Sequence, residues 1–77
     1  TVIRYSLSLN GRVTLKIFDV LGREVASLLH DQEMESGEYE IPFDASGLTS
    51  GVYFYRMIVT QQDLLHYTQT KKLLLVK

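Results

Sequence analysis

The chain has no cysteine and no tryptophan, one proline, two histidines, and a net charge of only −1 over 77 residues. Without cysteine, neither a disulfide framework nor a thiolate metal site can form, and the redox compartment cannot be read from composition. A charge so near zero gives no pull toward nucleic acid or anionic lipid. The longest apolar run, Leu73 to Val76, is far short of a membrane span, and no signal-peptide pattern opens the sequence. No eleven-residue window repeats its apolar positions at i, i+3, i+4 and i+7, so no amphipathic helix is predicted.

Parts for catalysis are equally scarce. A reaction needs a nucleophile or acid with a base and an orienting group within hydrogen-bond reach. His30 and His66 have no spaced partner of ligand type and read as solvated surface residues. His30 and Asp31 are neighbours, but adjacent residues on an extended chain point apart. Asp31, Glu33, Glu35 and Glu38 could offer oxygens to calcium, yet they lack the spacing of a calcium loop and read as a solvated loop. No glycine-rich phosphate loop follows a strand and opens a helix. No catalytic, metal or cofactor residue is predicted.

What is present is β sequence. Hydrophobic content is 45%, and low-complexity runs are absent, as in a folded protein. A chain of this size makes one domain, over residues 1–77, that buries roughly 60% of its unfolded surface. Thr1 begins directly in strand-like sequence, which suggests a piece excised from a longer protein. Thr1 to Leu9 alternates, with Ile3, Tyr5, Leu7 and Leu9 on one face. Asn10-Gly11 carries the signature of a two-residue type I′ hairpin turn, because both central positions need positive φ. Arg12 to Asp19 alternates again with Val13, Leu15 and Ile17 inward, so these two strands are predicted to pair. Asp19 to Arg23 reads as a turn with Gly22 left-handed. Glu24 to Leu29 is a short strand whose imperfect alternation leaves a bulge or a helical turn open. His30 to Glu38 reads as an exposed acidic loop ending at Gly37. Glu38 to Phe43 is a strand with Tyr39, Ile41 and Phe43 inward, and Pro42 places its end at a sheet edge.

The organising stretch is Asp44 to Val59. Asp44 and Ser46 can bond their own backbone, and Gly47 and Gly51 can take positive φ at little cost. Val52 to Val59 is the strongest strand signal, with Tyr53, Tyr55, Met57 and Val59 on one face. Leu48, Gly51 and Tyr53 fit the tyrosine corner of Greek-key sandwiches, in which the Tyr hydroxyl bonds back to upstream backbone. An ordinary tight turn before an ordinary strand is the plainer alternative. Thr60 to Asp63 is a polar turn, and Leu64 to Lys77 makes one long or two short strands. Lys71-Lys72-Leu73-Leu74-Leu75-Val76-Lys77 is apolar on both faces, so it is buried on both sides or waits for a partner on one. Its lysines serve solubility and edge protection, or recognition by a partner that reads the last strand. Six to seven short strands argue a small antiparallel β-sandwich of two sheets. Carbohydrate binding would need exposed aromatic platforms, and only Phe18, Phe54 and Tyr67 fall outside the predicted inward faces.

Five blocks in order carry a resemblance: Thr1 to Leu7; Val13 to Asp19 with Gly22 to Val25; Ser36 to Tyr39 with Phe43 to Leu48; Gly51 to Arg56; and Lys71 to Lys77. The chain resembles the type A C-terminal sorting domain of cargo proteins exported by the type IX (Por) secretion system of Bacteroidetes and related bacteria. Met57 stands where Leu is common, Asn10-Gly11 replaces a longer first turn, and the Asn-Pro expected before the first strand is missing. The resemblance implies an immunoglobulin-like sandwich acting as a non-enzymatic address label behind an N-terminal cargo domain. It implies passage through the periplasm to the cell surface or medium. Its implied partners are the outer-membrane secretion machinery and a sortase-like peptidase that removes the label. Recognition residues on this reading are Gly47, Gly51 and Lys71, Lys72, Leu73, Leu74, Leu75, Val76 and Lys77. Turn geometry alone is the favoured account of the two glycines. Self-association through the last strand is a further expectation, and the alternative function is an accessory module of an extracellular hydrolase.

Overall fold

Alternation with a period of two becomes six strands in the computed structural model, which describes residues 1–62 and 64–76 and only the backbone of Leu65 and His66. They are β1 (Val2–Leu7), β2 (Gly11–Phe18), β3 (Glu24–Met34), β4 (Gly37–Pro42), β5 (Gly51–Gln61) and β6 (Leu64–Leu75). One antiparallel sheet has the order β3-β2-β5-β6; the other is the pair β1-β4. Ile3, Tyr5 and Leu7 from β1 join Val13, Leu15, Ile17, Phe43, Tyr53, Met57, Val59 and Leu75 in one buried cluster. By order and connection, β1 and β4 stand where strands B and E stand in an immunoglobulin sandwich. The larger sheet corresponds to C′-C-F-G. Among the described residues the outer A and D strands have no counterpart.

The predicted first hairpin is not formed. β1 pairs with β4, from Val2↔Pro42 to Leu7↔Gly37, and β2 pairs with β3 and β5. A hairpin would set both apolar faces side by side on one sheet. Placing β1 in the opposite sheet lets Ile3, Tyr5 and Leu7 cover β2 and β5 instead, which removes more apolar area from water. Leu9, predicted inward, is therefore exposed on the crossover. Asn10 braces that crossover. Its Oδ1 accepts from the Ser36 N–H at 2.7 Å, and its carbonyl accepts from Gln61 Nε2 at 2.7 Å. Gly11 is not left-handed; it is small because a Cβ there would lie 2.7 Å from the Thr60 carbonyl oxygen.

The acidic loop predicted from His30 is also largely strand. β3 continues to Met34, and only Glu35 and Ser36 separate it from β4. Three register shifts against β2 scramble its alternation, and Asp31 adopts a left-handed φ of 49°. Bulges of this kind bend a strand and disrupt its ladder, which is why the period-two signal faded there. Pro42 closes β4 at the sheet edge, exposed, as its missing N–H requires. Asp63, part of the predicted turn before β6, lies outside the described residues.

Candidate recognition surface

The β4–β5 connection is built from local bonds. Asp44 Oδ1 accepts from the Ser46 N–H at 3.0 Å, and the Leu48 N–H donates to the Ala45 carbonyl at 3.0 Å. The Tyr53 hydroxyl donates to the Thr49 carbonyl at 2.8 Å, four residues upstream, with Thr49 Oγ1 at 3.4 Å. This is the back-bonding of a tyrosine corner at the start of the F-equivalent strand. Gly51 takes φ 153°, a conformation that side chains rarely adopt, while open space surrounds its missing Cβ. Gly47 differs. Its φ is not positive and a Cβ would meet nothing within 4 Å, so turn geometry does not explain it. The expectation that both glycines are fixed by left-handed backbone holds for Gly51 alone.

The turn between β2 and β3 reaches the same end of the sandwich. Asp19 Oδ1 accepts from the Leu21 and Arg23 N–H groups, each at 2.9 Å, and its Oδ2 pairs with Arg23 Nε at 2.8 Å. The Arg23 N–H above all holds the Asp19 carboxyl below its usual pKa; desolvation opposes it next in size, and the guanidinium and the Leu21 N–H add to the lowering. Gly22 is left-handed at φ 82°, as the sequence predicts. The turn thrusts Val20 and Leu21 into solvent, 66% and 74% exposed, beside a hollow of about 450 Å³ shared with Gly47 to Tyr53. Sequence reasoning missed this apolar tip; the adjacency of two large apolar residues inside a turn was the available signal.

Residues of the last strand divide by face. Gly51 pairs with Leu75, Tyr53 with Leu73, Tyr55 with Lys71, Phe54 with Lys72 and Val52 with Leu74. Leu75 is buried and Leu73 half-buried, whereas Leu74 and Val76 are 65% and 78% exposed. The strand is thus apolar on both faces and covered on one. Lys77 lies outside the described residues, as do the side chains of Leu65 and His66. Of the aromatic platforms, Phe18 is occupied by Arg56, whose guanidinium carbon sits 4.9 Å from the ring centre. Tyr67 lines a groove of about 990 Å³ with Arg4, Tyr5, Tyr39, Gln69 and Lys71. Within it Tyr5 and Tyr39 stack at 5.4 Å. His30 is exposed on β3, and among the described residues no group of three His, Asp or Glu gathers to hold a metal.

Architecture and surface together define a small all-β sandwich whose exposed features are strand edges, apolar tips and a groove. The chain matches the family described as the secretion system C-terminal sorting domain over residues 2–75. It belongs to that family, the C-terminal sorting domains of type IX secretion. No curated protein and no solved structure matches it. Membership makes it a secretion-signal domain that works with the secretion machinery in export across the outer membrane. No helix among the described residues is long and apolar enough to cross a membrane.

Proposed function

We propose that this domain is the non-enzymatic address label of a cargo protein, carried behind the cargo and read through its last strand and the adjoining Gly47–Gly51 turn. The observation that carries the reading is the family match over nearly the whole chain. The uncovered Leu74 and Val76 and the exposed lysines of β6 support a partner at that strand. Gly47, which needs to be glycine for neither φ nor space, supports contact at the turn. Release by a sortase-like peptidase follows delivery to the cell surface or medium. The experiment fuses a fluorescent reporter and linker in front of Thr1, with a secretory signal peptide, in a host with the type IX system. Fluorescence should reach the surface or medium and vanish when residues 71–77 are removed. Export that persists without them overturns the reading. Reporter held in the periplasm by an intact domain turns the assignment toward an accessory binding module.

A further inference from the structure

The larger sheet ends in two unlike edges. β3 is blunted: three register shifts break its pairing with β2, and Asp31 is left-handed with its N–H bonded to Thr14 Oγ1. Natural sheets disable edges this way. β6 runs from Gly51↔Leu75 to Val59↔Tyr67 without a shift, its single irregularity falling beyond that span between Val59 and Thr60, and its far side pairs with no strand among the described residues. The cover over β6 also stops short. Gln69 and Lys71 lie opposite Met57 and Tyr55 and so share the inner face of the sheet, yet both are exposed. Two strands in the smaller sheet cannot roof four. The groove of about 990 Å³ lies where the roof is missing, between β6 and the β1–β4 pair.

Charge says what belongs along the β6 edge, since the far wall of the groove on β4 already carries Glu38 and Glu40. Arg4, Arg12, Lys16 and Arg23 each pair with a carboxylate, of Glu40, Asp31, Glu24 and Asp19 respectively. Arg56 lies on the Phe18 ring and bonds Thr70. Among the described lysines and arginines only Lys71 and Lys72 have neither a carboxylate nor a ring, and they project from opposite faces of the open edge strand. A second copy is a poor occupant: of its two acidic strands β3 is blunted, β4 is only six residues long with Glu40 already held by Arg4, and its own β6 would bring lysines to lysines. Resting on the address-label reading, we propose that an extended, carboxylate-bearing segment of the secretion machinery adds to the free edge of β6 as a further strand. Its inward side chains fill the groove, and its carboxylates meet Lys71 and Lys72. Such strand addition draws affinity from the backbone ladder and specificity from alternate side chains.

The test uses the full cargo chain in a type IX host. In an antiparallel strand, neighbouring residues send their N–H groups to opposite sides, so of Thr68→Pro and Gln69→Pro one breaks the bond to β5 and the other removes an outward donor. The outward variant should keep the domain protease-resistant while export falls at least tenfold. Lys71→Glu with Lys72→Glu should lower export similarly, and the double Arg replacement should preserve it. If removing residues 71–77 blocks export but the outward proline and the charge reversal do not, strand addition is overturned and the address label stands. If that removal has no effect, both fall. A purified chain that dimerises in light scattering, and is made monomeric by the outward proline, would give the edge to a second copy and overturn the proposal.

Discussion

Removing one oxygen from Tyr53 isolates the corner from the core. The ring is 7% exposed, and its hydroxyl donates to the Thr49 carbonyl at 2.8 Å. Tyr53→Phe keeps the packing and deletes one neutral hydrogen bond, a loss of about 1 kcal/mol, with up to ~3 kcal/mol if the abandoned carbonyl stays dry. Thr49 is an exposed residue whose carbonyl can recruit water, so the lower figure applies. For a domain of this size that lowers Tm by roughly 4–8 °C. Tyr5→Phe is the internal control. Tyr5 is as buried, but its hydroxyl reaches only Met34 Sδ at 3.4 Å, a weak acceptor, so its replacement should cost clearly less. Thermal denaturation of the 77-residue chain, followed by circular dichroism, reads both. A Tyr53→Phe variant that melts with the parent, or above Tyr5→Phe, refutes the corner as a structural bond.

Three further outcomes follow from the backbone and from Asp19. Gly51→Ala must force a Cβ into φ 153° and should cost about 1–3 kcal/mol, whereas Gly47→Ala should stay within about 0.5 kcal/mol; equal denaturation midpoints would contradict this. Gly11→Ala pushes a methyl to 2.7 Å from the Thr60 carbonyl and should destabilise by about 1–3 kcal/mol through displaced β5 backbone, measured as a lower urea midpoint. The Asp19 carboxyl has a lower pKa folded than unfolded, so its contribution is complete above the ordinary value of 3.8 and is lost as pH falls through the folded value. Tm should therefore decline below about pH 4, and Asp19→Asn should flatten that decline; an identical acid slope in the variant would refute the role.

Faces were legible where neighbours were not. Alternation reports which side chains point together, and it put Ile3, Tyr5, Leu7, Val13, Leu15, Ile17, Tyr53, Met57 and Val59 inward, where the structure buries them. It is silent on which strand lies alongside. Asn10-Gly11 looked like a hairpin because the same two residues also suit a crossover, one bracing with its side chain and the other yielding room to Thr60. The end of β3 was hidden for a different reason. An edge strand with both flanks wet can be polar throughout, and bulges erase its period, so composition reads it as a loop.

The same logic explains why the surface was half legible. Lys71 to Val76 stood out because a strand apolar on both faces needs cover on both, and the structure supplies cover on one. Whether that strand lies inside a sheet or at its margin is a matter of topology, fixed by contacts among residues far apart in the chain. The charge inventory is likewise a tertiary fact. Arg4 finds Glu40 across 36 residues, Lys16 finds Glu24 and Arg12 finds Asp31, and only once those partners are taken do Lys71 and Lys72 stand out as the cations left over. A near-neutral chain can therefore present a distinctly basic edge. Recognition by such an edge depends on which charges folding leaves unmatched, and the net charge of −1 carries no trace of it.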